Sequence, residues 1–117
     1  MGLAKEIKTQ LKIPVVCSLQ AEDVWVDAMN DHYREITWNL MSEKAKDVDA
    51  FIAVSHYYAN EMKQKMKIPD SKMNVIYIGI DKEIYKYSEP VFNPPAIGYL
   101  SRMYHEHGFG LLIDAFI

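Results

Sequence analysis

Residues 96 to 110, AIGYLSRMYHEHGFG, concentrate the side chains most able to do chemistry. An apolar run ends in Ser101-Arg102, a polar loop carries Tyr104, His105, Glu106 and His107, and Gly108 opens an apolar-periodic helix. A strand, a loop and a helix start in that order predict an anion site. Free backbone N–H groups and the positive end of the helix dipole face the space beyond the strand's carboxyl end. Arg102 would add a fixed charge whose planar fork suits phosphate oxygens. A second polar cluster, Gln20, Ala21, Glu22 and Asp23, follows the apolar run IPVVCSL. Glu22 and Asp23 could address an acceptor hydroxyl or cap the next helix, and capping is the favoured reading. Ser55 ends a third such run and is expected to cap the helix after it. His105 and His107 have only Glu106 beside them, which falls short of a convergent ligand set, so no metal site is expected.

The elements that must position these residues follow from periodicity. Leu3, Ile7 and Leu11 recur every four residues and predict one apolar helix stripe. Residues 13 to 19 read as a buried strand of a parallel sheet, with Pro14 tolerated at its start and Cys17 as a buried thiol. One long helix is expected over about residues 24 to 47. Its buried face would be Val26, Met29, Tyr33, Ile36 and Leu40, widened by Trp25, Trp38 and Met41. Residues 50 to 55 form a second buried strand. The helix after it has Tyr57, Met62 and Met66 among its apolar positions and should stop before Pro69. Residues 74 to 78 form a third strand, after which Gly79 serves a turn. Residues 82 to 95 lose all period, contain three prolines and read as a linker with one helical turn at its start. Tyr85 and Tyr87 are expected to pack over a hinge there. Residues 96 to 100 make a fourth strand.

Composition narrows the class. A chain of 117 residues supports one core but not two full ones. The formal net charge of −3 gives no basic face for nucleic acid. A single cysteine rules out an intramolecular disulfide and fits a reducing cytoplasm. No apolar run reaches the roughly 18 residues of a membrane span. The closing AFI carries no capping Gly or Asn, and the segment after Pro95 is too small for a core. The chain is therefore expected to be a piece of a longer protein. Its third strand would close one α/β domain and its fourth would open another.

Five ordered segments carry a family resemblance: IPVVCSL with QAED, DAFIAVS, VIYIGID, IGYLSR, and HGFGLLIDAF. They resemble the central part of a retaining glycosyltransferase of the GT-B architecture, in the large group 1 (family 4) class. That family reads a proline–valine strand with LHGED, an aspartate-led strand ending in VS, VIPNGID, a Gly-x-LS/GR strand end, and Lys-Gly before a leucine-rich helix. The resemblance implies an α/β fold in which a Rossmann-like parallel sheet is flanked by helices. Residues 1–81 would be the later part of the first domain, 82–95 the interdomain linker, and 96–117 the first strand and helix of the nucleotide-sugar domain.

What the resemblance implies for function is transfer of a sugar from a nucleoside diphosphate donor to an acceptor hydroxyl, with retention at the anomeric carbon. Arg102 matches the family's strand-end arginine, and with His107 and Gly108 it would hold the donor diphosphate. His107 stands where the family has lysine, Gln20 where it has histidine, and Ile78 where it has asparagine. Gln20 and Glu22 are the candidate catalytic positions, while Ser55, Gly79 and Asp81 would line the cleft. No cofactor beyond the nucleotide-sugar substrate is implied, and the acceptor would be a glycan, a lipid or a small molecule. The parent protein would be cytoplasmic, with peripheral membrane association compatible, and the 117-residue piece alone would be inactive. The family's Glu-x7-Glu region would lie beyond Ile117. Two alternatives stay open: a non-catalytic sugar- or partner-binding piece of the same fold, and a nucleotide-sugar epimerase.

Overall fold

The computed structural model describes residues 1–90, 92–103 and 107–117. The linker residue Val91 and the loop residues Tyr104, His105 and Glu106 lie outside the described residues, and with them the metal reading of the His105–His107 loop. The chain forms two compact units, Met1–Ile80 and Asp81–Ile117.

The first unit is built on a parallel sheet of three strands in the order β1-β2-β3, with β1 at Val16–Leu19, β2 at Ala50–Ala53 and β3 at Met73–Val75. Helices α1 (Ala4–Leu11), α2 (Glu22–Asp27), α3 (Asp31–Ala45) and α4 (His56–Met66) flank it. This is the expected α/β class with a Rossmann-like parallel sheet. β2 is the central strand because its short apolar run pairs on both edges, with Phe51 opposite Cys17 on one side and Met73 on the other. Alternation then buries Phe51 and Ala53 completely on one face. α4 packs across β2 and β3 and against α3. Its side chains at Tyr58, Ala59, Met62 and Met66 recur at helical spacing and join Leu19, Val48, Phe51 and Ile68 in one core. Ser55 caps α4 as expected, its hydroxyl accepting the Tyr58 N–H at 3.1 Å. The helix stops at Met66, and Lys67 turns left-handed (φ 54°) two residues before Pro69.

Several expectations are corrected here. The long helix over 24 to 47 is two helices. Asn30 adopts extended backbone between them, and its side-chain oxygen accepts the Tyr33 N–H at 3.2 Å, so α3 restarts on its own cap. The restart selects a different face. Trp38, Met41 and Ala45 meet the core, whereas Met29, Tyr33, Ile36 and Leu40 are exposed. Trp25 is 74% exposed, because Val26 is the apolar residue that α2 turns inward. In α1 the small Ala4 is the buried residue, and Leu3 and Leu11 are exposed. On α4 the inward tyrosine is Tyr58, while Tyr57 is 76% exposed. β1 is an edge strand rather than a fully buried one, so Val16 is exposed and Cys17 only half-buried. Burial still pushes the Cys17 thiol above its ordinary value. β3 ends at Val75 because β2 ends at Ala53. The Ile76 N–H reaches the Ala53 carbonyl at 3.0 Å, and beyond it no neighbouring strand among the described residues continues the ladder.

In the second unit Lys82–Ile84 form the expected single helical turn, of 3₁₀ type, and helix α5 spans Phe109–Phe116. The expected strand over residues 96 to 100 is not formed. Among the described residues it has no partner strand, and Ile97 and Leu100 are exposed. Tyr85 and Tyr87 are exposed rather than packed. Each α5 residue leaves part of its surface open, and none is buried.

Candidate functional site

Parallel pairing sets the three strand ends of the first unit side by side, because Leu19 is opposite Ala53 and Ala53 is opposite Val75. The residues that follow each strand therefore share the carboxyl edge of the sheet, the edge at which open α/β sheets hold ligands. From β1 come Gln20, Ala21, Glu22 and Asp23; from β2, Ser55 and His56; from β3, Tyr77. Gln20, Glu22 and Ser55, named from sequence, are thus gathered on one edge.

The β1–α2 turn is tight. Ala21 has φ 64°, a left-handed conformation that an L side chain occupies at a cost. Neither Glu22 nor Asp23 caps α2 through its side chain, which corrects the capping expectation. Instead the Glu22 N–H donates to Tyr58 Oη at 2.8 Å, and Tyr58 Oη donates to Glu22 Oε2 at 2.6 Å. Burial, followed by the Glu22 carboxylate, holds the Tyr58 hydroxyl well above the usual tyrosine range. Asp23 Oδ1 is buried and accepts no hydrogen bond among the described residues. Gln20 is exposed, and its amide can both donate and accept hydrogen bonds.

Two residues at this edge were not assigned chemistry from the sequence. Tyr58 is one; the signal was its place three residues after a Ser cap, which points it back over the strand end. Tyr77 is the other. It lies edge-on to His56, with ring centroids 6.1 Å apart and planes at 71°. Gly79 follows β3 without a left-handed φ, and a Cβ there would meet nothing within 4 Å, so its backbone does not require glycine.

The other sequence-derived positions belong to the second unit. Asp81 caps the Lys82–Ile84 turn by accepting the Glu83 N–H at 3.0 Å. Arg102, His107 and Gly108 are drawn together by Tyr99. Its hydroxyl lies 3.3 Å from the Arg102 carbonyl and 3.2 Å from the His107 carbonyl, within donating distance of both. The Ser101 hydroxyl and His107 Nδ1 are 2.6 Å apart, and the Tyr99 ring stacks at a tilt on Phe109 at 4.9 Å. Gly108, left-handed at φ 74°, begins α5 with no side chain capping its first turn. Arg102 is exposed, and its guanidinium has no hydrogen bond or ion pair among the described residues.

A cavity of about 410 Å³ lies elsewhere in the first unit, lined in part by Lys46, Lys67 and Lys72. Lys72 is already engaged there, donating to the carbonyls of Lys46 and Val48 beyond the end of α3. Such lysines complement the negative end of a helix.

A family model described as Glycosyltransferase Family 4 matches residues 1–84. The chain belongs to that family. The match spans the whole first unit, including Gln20, Glu22, Ser55 and Gly79, and extends through Asp81; Arg102, His107 and Gly108 lie outside it. No curated protein and no solved structure matches the chain. No helix among the described residues is long and apolar enough to cross a membrane.

Proposed function

We propose that this glycosyltransferase chain serves transfer of a sugar from a nucleoside diphosphate donor to an acceptor hydroxyl, with retention at the anomeric carbon. The observation that carries the reading is the family match over a unit whose parallel sheet presents Gln20, Glu22 and Ser55 on one carboxyl edge. In this reading that edge receives the acceptor, a glycan, lipid or small molecule, and the Gln20 amide orients its hydroxyl. The Arg102 guanidinium, the first N–H groups of α5 and the His107 ring stabilise the diphosphate as it leaves and gains charge. A site with these positive groups runs without a metal. The protein works in the cytoplasm, and a lipid acceptor would bring it to a membrane surface.

The deciding experiment incubates the full-length protein with UDP-glucose, UDP-N-acetylglucosamine and GDP-mannose in the presence of EDTA, using octyl glucoside as acceptor. Proton NMR then reads the configuration of the new linkage. Transfer with the donor's own anomeric configuration is expected, and inversion would overturn the retaining assignment. A second reading, binding without turnover, draws on His107 and Gln20 standing where a lysine and a histidine are the family's residues. Saturable nucleotide-sugar binding with no product would favour it.

A further inference from the structure

Glu22 and Tyr58 are bonded to each other twice, and this restricts what Glu22 can do. The Tyr58 hydroxyl accepts the Glu22 backbone N–H at 2.8 Å and donates to the Glu22 carboxylate at 2.6 Å. Tyr58 is only 8% exposed and sits in the first turn of α4, whose cap Ser55 accepts its N–H at 3.1 Å. One ring therefore ties the turn after β1 to the helix after β2, across 36 residues of chain. Between Gln20 and Glu22 stands Ala21 at φ 64°, and such a conformation persists where the surroundings hold it in place. Swinging the carboxylate away to reach a substrate proton would release the hydroxyl that holds Glu22's own backbone.

We infer that Glu22 and Tyr58 form a tether that positions the Gln20 turn for the acceptor, and that Glu22 is a positioning residue rather than the group that takes the acceptor's proton. The inference rests on the reading that this edge receives the acceptor, and it narrows the two candidate catalytic positions to Gln20.

The test uses the full-length protein, whichever of UDP-glucose, UDP-N-acetylglucosamine and GDP-mannose turns over fastest, and octyl glucoside as acceptor. Tyr58→Phe keeps the packed ring and deletes only the hydroxyl. It should lower kcat/KM for octyl glucoside by about tenfold, mostly through KM, as a slightly misplaced contact does. Glu22→Ala should lose a similar factor. The double variant should be no worse than Tyr58→Phe alone, because that change already removes both bonds, whereas Glu22→Ala removes the carboxylate bond and keeps the N–H one. Glu22→Gln keeps an oxygen to accept from Tyr58 and should recover most of the loss. A purely structural role would lower Tm without moving KM in the folded fraction. Independent of turnover, Tyr58→Phe should speed hydrogen exchange at the Glu22 amide, and unchanged exchange there overturns the tether. Losses that multiply in the double variant, or a Glu22→Gln as damaging as Glu22→Ala, overturn it as well. Gln20→Ala separates the two layers. Should it leave the octyl glucoside KM unchanged, the reading of this edge fails and the positioning role with it. Should it raise KM while Tyr58→Phe does not, only the tether fails.

Discussion

The Lys8 ammonium lies 2.6 Å from Asp49 Oδ1, joining residues 41 apart in the chain. The second oxygen of the same carboxylate accepts the Val15 N–H at 2.8 Å, and the Val15 carbonyl accepts the Asp49 N–H at 2.9 Å. A single aspartate thereby ties α1, the approach to β1 and the start of β2 into one register. The carboxyl edge of the sheet inherits its alignment from this opposite end.

Acid should undo that clamp. The Lys8 ammonium, then the Val15 N–H, hold the Asp49 carboxyl below its ordinary value. In the unfolded chain an aspartate titrates near about 3.9. Its stabilising contribution is therefore fully present above that pH and is lost as pH falls through the lower folded value. Asp27, held down first by Lys65 and then by Trp38, behaves alike. Thermal melts from pH 6 to pH 2 should show wild type losing stability below about pH 4 more steeply than Asp49→Asn. Parallel curves would remove Asp49 from the account.

Ala21→Gly should stabilise the protein. Left-handed backbone costs an L residue roughly 1–2 kcal/mol, part of which the greater freedom of glycine in the unfolded state offsets. A net gain of about 0.5–1 kcal/mol is expected in urea unfolding, and Ala21→Val should lose stability, since a β-branched residue fits φ 64° worse still. An Ala21→Gly variant weaker than wild type would refute the strain.

The buried faces of α3 and α4 can be compared directly. Met62 is fully buried, and Met62→Ala should cost about 2–5 kcal/mol. Leu40, on the α3 face that sequence periodicity marked as core, is 49% exposed, so Leu40→Ala should stay within about 1 kcal/mol. Chemical denaturation of both variants decides it; a Leu40 loss as large as that of Met62 would restore the periodicity-derived face.

Under the proposed function, Arg102→Ala should lower kcat more than it raises the donor KM, since the proposed contact would strengthen as the leaving diphosphate gains charge. The loss expected is roughly a hundred- to thousandfold. Arg102→Lys should restore part of it, keeping the charge but losing the two-pronged geometry. His107→Lys, which puts an ammonium on the same loop, should tighten donor binding. Near-wild-type kinetics for Arg102→Ala would end its assignment to the diphosphate.

Much of the first unit was legible because local physics decides it. A short apolar run such as AFIAVS has few alternatives to a buried strand, a Ser at its end caps the next helix, and Pro69 limits that helix. Three of the ordered segments that suggested family 4, IPVVCSL with QAED, DAFIAVS and VIYIGID, are strand ends and the turns after them, where backbone geometry restricts residue choice. Asn30-Asp31 was also a readable cap followed by an acidic first turn, but the apolar period running through it concealed the break between α2 and α3.

Other features were decided only when distant segments met. Which of Tyr57 and Tyr58 turns inward depends on how α4 settles across β2 and β3, and one residue is 100° of helix rotation. Whether Val16 is covered depends on how many strands lie beyond β1, and the length of β3 depends on where β2 ends. The Tyr58–Glu22 bonds could not be foreseen for the same reason. Residue types and local periods decide which backbone each segment prefers and which side chains carry chemistry. Pairing partners, the face a helix turns inward and the company a carboxylate keeps are set by contacts between residues tens of positions apart, which exist only in the folded chain.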